Sequence, residues 1–161
     1  MGYVILGVGA AGITAAKTIR KAEKEAEITM ISTDRQVHSR CMLHKYLSHE
    51  RTAEQLSFVP EDFFETNRIH WIKGKTVTGL DTAKKKVILE DGGEVPYDKL
   101  LIATGAESFI PPVGNLREAA NVFGLRQLHD AEAIDKMAES AEQIVIIGSG
   151  LVGLDAAYGL M

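Results

Sequence analysis

Apolar and polar positions alternate between two periods along the chain. "YVIL", residues 3–6, is a short apolar run stopped by Gly7, and "GITAAKTIRKA" follows with Ile13, Ala16 and Ile19 at helical spacing. A charged patch, "EKEAE", then gives way to "ITMIS", residues 28–32, a second run of buried-strand type. Strand, glycine turn, helix and strand within about thirty residues make a βαβ unit, which implies a parallel sheet.

Residues 33–52, "TDRQVHSRCMLHKYLSHERT", read as a loop leading into a short helix near 40–48. "PEDFFETNR" carries Pro60 in first-turn position with acidic residues after it, a helix start. "IHWIKG", "KTVTGLD" and "KKVILEDGGEVPYD" are β-branched runs broken by turn residues, which predict an antiparallel meander. "KLLIATG" reads as another buried strand, and "FIPPVGN" as a connector. Helical spacing resumes through Ala131, Ile134 and Met137, and "QIVIIG" predicts a final strand leading into "GSGLVG" and a helix over "LVGLDAAYGL". Strand, GxGxxG and helix therefore occur twice, at 3–20 and at 143–161. A Rossmann half needs a further strand after its helix, and Met161 comes before one, so the second unit is expected to be the opening part of a nucleotide domain.

Composition narrows the function classes. Lys plus Arg is 18 against 22 for Asp plus Glu, and the positive residues are scattered, which argues against a nucleic-acid partner. Lys84, Lys85 and Lys86 form the one dense basic run, and its place in a hairpin beside Asp81 and Glu90 predicts a solvated turn. No apolar run approaches the ~18 residues of a membrane span, so no membrane partner and a cytoplasmic location are expected. The single cysteine, Cys41, excludes an internal disulfide and a paired-cysteine redox centre.

The glycine motifs carry the chemistry. In "GVGAAG", Gly7 permits the tight turn, Gly9 lets a phosphate approach the backbone, and Gly12 allows close packing of helix on strand. The helix start would aim free NH groups and a positive dipole end at a pyrophosphate. An acidic residue near the end of the second strand would bind an adenosine ribose. Asp34 is the candidate, one or two residues beyond the strand's end; Ser32 or Thr33 could hold that position instead, with Asp34 opening the loop as an Asx turn.

Together, "GVGAAG", "YDKLLIATGA" at 97–106, "IPPVGN" and "IVIIGSGLVGLD" resemble the FAD/NAD(P)-dependent pyridine nucleotide oxidoreductases over the whole chain. "HSRCMLHKYL" at 38–47 resembles the corresponding segment of rubredoxin and ferredoxin reductases, NADH oxidases and the flavin portion of nitrite reductases. The resemblance implies an α/β fold: a Rossmann-like FAD-binding domain with a parallel sheet plus an antiparallel meander over residues 1–115, then the start of an NAD(P)-binding domain over 116–161. It implies N-terminal placement in a longer oxidoreductase that takes hydride from NAD(P)H onto FAD. Electrons would pass on to a redox protein such as rubredoxin or ferredoxin, to oxygen, or to a nitrite-reductase centre.

Roles follow position by position. The resemblance implies that Gly7, Gly9, Ala11 and Gly12 hold the FAD pyrophosphate, that Val77 approaches adenine through its backbone, and that Ala103, Thr104 and Gly105 pass beside the cofactor. Gly148, Gly150 and Gly153 would serve the nicotinamide dinucleotide. Arg40 matches an arginine along the ribityl and phosphate region, with a solvated loop arginine as the alternative. Lys45 matches a lysine near the flavin ring, and Asp155 matches a Glu that pairs with it, one methylene longer.

Cys41 admits two readings. It stands where reductases of this group often have proline, and near where single-cysteine NADH oxidases and coenzyme A disulfide reductases hold a redox cysteine; Met42 replaces the glycine usual in the redox type. A non-catalytic small residue beside the flavin is the favoured reading. His38 and His44 lack further ligands at suitable spacing, so no metal site is expected. Two other readings of the chain are an isolated FAD-binding module without turnover and a complete single-cofactor NAD dehydrogenase. The second conflicts with the ATG segment and the second glycine motif. Missing strands would leave apolar surface uncovered and favour self-association.

Overall fold

A computed structural model describes residues 1–161. By packing, the chain divides into two units: Met1–Val37 with Phe58–Gly105, and His38–Ser57 with Ala106–Met161.

The first unit is built around β1 (Gly2–Leu6). This strand pairs in parallel on both sides, with β2 (Glu27–Ser32) and with β7 (Lys99–Ile102), so that Tyr3 stands opposite both Ile28 and Lys99. β3 (Ile69–Lys73) adds in parallel to β2, and the sheet order is β3-β2-β1-β7. A strand covered on both faces must be apolar throughout, and Val4, Ile5 and Leu6 are all buried. Their side chains alternate between two cores. Ile5 joins Ile13 and Ala16 of α1 (Ala10–Ala22) together with Ile28, Met30, Val37 and Phe63. Val4 and Leu6 join Ile31, Val87 and Leu89 on the opposite face. Burying each such aliphatic side chain contributes about 1.5–3 kcal/mol.

Val87 and Leu89 belong to a second, antiparallel sheet of three strands, β4 (Val77–Asp81), β5 (Lys86–Leu89) and β6 (Glu94–Pro96). Its β4–β5 turn holds the basic run: Lys85 has φ +51° and the Lys84 NH donates to Asp81 Oδ1 at 2.9 Å, as expected of a solvated hairpin turn.

Three expectations need correction. "IHWIKG" is not part of the meander. The long crossover from β2, through α3 (Phe63–Thr66), delivers β3 parallel to β2, and Gly74 at φ +69° turns the chain away before β4. "KLLI" is an edge strand with one free side, so Leu101 and Ile102 are 40% and 58% exposed. "QIVIIG" forms no strand: residues 143–147 are without a hydrogen-bonded neighbour strand, and Val145 and Ile147 are 84% and 67% exposed. A strand is stabilised by its ladder, and nothing in residues 1–161 pairs with this segment.

The second unit is helical. α2 (Leu43–Leu47) follows a short 3₁₀ turn, Arg40–Met42, and packs against both α4 (Leu128–Ala138) and α5 (Leu151–Gly159). Leu43, Leu47, Leu56, Leu128 and Ala131 form its core. At the start of α4, Asp130 Oδ2 accepts from the backbone NH groups of Arg126 and Gln127 at 3.0 and 2.7 Å, satisfying donors that would otherwise lack partners. No helix is long and apolar enough to cross a membrane.

The seat of α1 on the parallel sheet depends on one missing atom. A Cβ at Gly12 would overlap the Gly7 carbonyl oxygen, lie 3.1 Å from its carbon and crowd Met30 Cε at 3.3 Å. Gly12→Ala is therefore expected to cost about 2 kcal/mol or more of unfolding free energy in urea; a loss below about 0.5 kcal/mol would show that α1 shifts freely.

Candidate functional site

The two glycine turns have the same local geometry although only one follows a formed strand. Gly7 has φ +105° and Gly148 φ +113°, a region that favours glycine. A Cβ at Gly153 would overlap the Gly148 carbonyl oxygen and stand 3.2 Å from its carbon, as one at Gly12 would at Gly7. The first and third glycines of each motif are thus required by the turn itself.

The middle glycines are not required by conformation. Gly9 caps α1 at φ −71°, ψ −177°, and Gly150 caps α5 at φ −73°, ψ 172°, conformations any residue adopts. Around a Cβ at Gly150 there is nothing within 4 Å. In both motifs the Ncap carbonyl accepts the first helical hydrogen bond, at 3.0 Å from Ile13 N and from Leu154 N. The NH groups of the first helical turn have no intrahelical acceptor and point out of the helix start. Each helix start therefore presents the donor arrangement that an anion would need, and the space around Gly150 is clear. Ala10, Ala11 and Thr14 continue the exposed small-residue lining along α1.

The ATG segment runs against the first cradle. Ala103 N donates to Leu6 O at 2.8 Å, and a Cβ at Gly7 would overlap the Ala103 carbonyl oxygen and lie 3.4 Å from Thr104 Cα. Gly105, at φ +76°, turns the chain away. Gly7, Ala103 and Thr104 are brought together as backbone, with no room for a larger side chain at position 7.

At the carboxyl end of β2, Ser32 is buried and engaged on both sides. Its hydroxyl donates to Asp34 O at 3.1 Å and accepts from Trp71 Nε1 at 3.1 Å. Asp34 is half-buried, with its carbonyl also accepting from Gly74 N at 3.2 Å, and Lys75 N donates to Ser32 O at 3.0 Å. The loop after β2 is thereby fastened to the loop after β3, which leads directly into Val77, the half-buried first residue of β4. Trp71 escaped sequence reasoning because its period-2 position in a strand says nothing of a hydroxyl 39 residues away.

In the second unit, Arg40 is half-buried at the start of the 3₁₀ turn and Cys41 beside it is exposed. Lys45 and Asp155 do not pair. Lys45 Nζ lies 2.9 and 2.7 Å from the two Glu50 oxygens and 5.6 Å from the centre of the Tyr158 ring. The hydrogen bond from Lys45, and then that from Ser48, holds the Glu50 carboxyl below its usual pKa. Asp155 instead stands 3.7 Å from His44 Nδ1.

The cause is the phase at which α5 packs on α2. Gly159 makes the close approach, since a Cβ there would be 2.7 Å from His44 O and 3.0 Å from Leu47 Cβ. Asp155, one turn earlier on the same face, then meets His44, while Lys45 points about 100° around its helix. The expected partner was one residue away, and the short aspartate does not span that gap.

The sequence matches the family described as pyridine nucleotide-disulphide oxidoreductase over residues 1–161. It is 34% identical to an NADH oxidase of Methanocaldococcus jannaschii, across 99% of this chain and 38% of that protein. It is 33% identical to the putidaredoxin reductase of Pseudomonas putida, across 96% of this chain and 37% of that protein. Among solved structures, a covalent putidaredoxin reductase–putidaredoxin complex superposes with a TM-score of 0.85 at 32% identity, covering 99% of this chain and 39% of that one. The NADH:rubredoxin oxidoreductase of Clostridium acetobutylicum gives 0.84 at 28% identity, covering 99% and 42%. The chain spans under two fifths of the length of both curated relatives. With a match from end to end and glycine cradles in both halves, the chain belongs to the pyridine nucleotide-disulphide oxidoreductase family.

Proposed function

We propose that the chain holds FAD at the Gly7–Gly12 cradle and belongs to an oxidoreductase that draws electrons from NAD(P)H, whose own cradle is Gly148–Gly153. One observation carries this reading: in both motifs the middle glycine, Gly9 or Gly150, has a conformation that any residue adopts, and a Cβ at Gly150 would meet nothing within 4 Å, which leaves ligand approach as the use of the position. Residues 1–115 would be the flavin part and 116–161 the start of the nicotinamide part.

The donor set fits such a cofactor. First-turn NH groups at Ala10, Ala11 and Gly12 suit a pyrophosphate, the backbone at Val77 suits adenine, and Ala103, Thr104 and Gly105 supply a wall of small residues. The family resemblance further assigns Arg40 paired donors to phosphate or ribityl oxygens and Lys45 a positive charge near the ring system. Lys45 is already braced by Glu50 and Tyr158, so the charge it offers is positioned by its own segment. When bound, the flavin supplies acceptance of a hydride and its release as single electrons or as a pair. The protein's part is to bind, orient and bias that group.

The relatives named above include a putidaredoxin reductase and an NADH:rubredoxin oxidoreductase, and by analogy a small redox protein is the acceptor proposed here, in a cytoplasmic setting. Cys41 is assigned no redox role, and Asp34, on the loop that follows β2, is retained as the proposed ribose carboxylate.

The exposed apolar run at 144–147 and Leu151, Val152 and Leu154 on α5 favour self-association of the 161-residue chain.

Titration of the chain with FAD, followed by flavin absorbance and fluorescence, is expected to show saturable binding. Gly9→Ser, which keeps a favoured helix cap, should weaken it about tenfold or more with melting temperature unchanged; equal affinity would refute the cradle. In the FAD-loaded oxidoreductase, Cys41→Ser should leave NADH-driven reduction of a protein acceptor intact, and loss of turnover at unchanged flavin content would restore the redox reading. Light scattering of the 161-residue chain should show oligomers that Val145→Lys reduces; a wild-type monomer at all concentrations would contradict self-association.

A further inference from the structure

Three loops leave the carboxyl edge of the parallel sheet side by side: the Gly7–Gly12 turn after β1, residues 33–35 after β2, and Gly74–Thr76 after β3. In open α/β sheets ligands bind outside this edge. The second and third loops are fixed to each other by Gly74 N to Asp34 O and Lys75 N to Ser32 O, at 3.2 and 3.0 Å.

Of the cations here, two are committed. Lys75 Nζ pairs with Asp91 Oδ2 at 2.7 Å, which holds that carboxyl below its usual pKa, and Lys73 Nζ lies 5.8 Å from the Trp71 ring centre. Arg35 is different. Its side chain lies along Gly74, with Cγ, Nε and Cζ all 3.4 Å from where a Cβ of residue 74 would be, while the residue as a whole is exposed. Gly74, at φ +69°, supplies both the turn and the flat floor on which the guanidinium rests.

We propose that Arg35 on its Gly74 floor is a stacking platform for the adenine ring of the dinucleotide held at Gly7–Gly12. A guanidinium is planar, always charged and weakly hydrated, and it stacks on aromatic faces as an ammonium does not. The side chain lies against the glycine on one side, and the residue is exposed, which suits it to receive a planar ligand. The fastening of the two loops means that the platform is in place before the ligand arrives, so little ordering accompanies binding. Val77, just beyond the same loop, would meet the base from the side by its backbone. Arg35 is thereby a specificity residue for the purine end, separate from the phosphate cradle, and the proposal rests on the dinucleotide reading of that cradle.

The test uses calorimetric titration of the 161-residue chain with ADP and, separately, with inorganic pyrophosphate. Arg35→Ala and Arg35→Lys should each weaken ADP about tenfold, leave pyrophosphate within twofold, and leave the melting temperature unchanged, as the side chain is exposed. Gly74→Ala, which strains the turn beneath Arg35 at φ +69°, should weaken ADP in the same direction. Full ADP affinity in Arg35→Lys would mean that charge alone acts and would overturn the stacking role; full affinity in Arg35→Ala would overturn any role. If Gly9→Ser also leaves both probes unaffected, or the wild-type chain binds neither, the reading of the cradle itself fails. Arg35 then fails with it.

Discussion

Contact between the carbonyl of the first glycine and the helix behind it governs this structure. Gly12 sits so close to Gly7 that a single methyl group is excluded, and this fixes where α1 begins, how near it lies to β1, and which way its free NH groups point. The same approach lets Ile13 and Ala16 reach the core that Ile5 enters from the sheet. Packing and the proposed binding geometry thus have one origin. Tight helix-on-strand contact stabilises the fold, and the proposed cradle is the external face of that contact.

Around this seat the sheet edge is assembled from loops that support each other. Ser32 is held by Trp71 and in turn holds the Asp34 carbonyl, which also accepts from Gly74. Further out, Lys75 reaches Asp91 in the β5–β6 turn, and Glu90 N donates to Thr76 O at 2.9 Å. The antiparallel sheet serves the site by anchoring the loop that precedes Val77. The ligand proposed at this edge would meet a surface organised by backbone hydrogen bonds more than by long side chains, which favours precision over adaptability.

Much of the first unit was legible because its signals are local. The βαβ pattern, the glycine turn and the basic hairpin each depend on neighbouring residues. Strand partnership does not: "IHWIKG" reads equally well as parallel or antiparallel, and only the route of the chain from β2 decides it. "QIVIIG" has every compositional mark of a buried strand, yet a strand exists only with a partner. For the site, glycine positions were readable from spacing, while the pairing of Lys45 with Glu50 and of Asp155 with His44 was not. Those depend on the phase of one helix against another, set by Gly159, whose role no short motif announces.

The second glycine turn forms with no sheet behind it, and this bears on the order in which structure is acquired. Its decisive contact joins residues five apart, Gly148 and Gly153, whereas β1 must find β7 across the ninety-six positions from Tyr3 to Lys99. Closing a short loop takes far less chain entropy than closing a long one. During synthesis a bend of this kind can be present as soon as its last residue emerges, because it waits for no distant strand. The second turn is then set by its own residues, independently of any sheet.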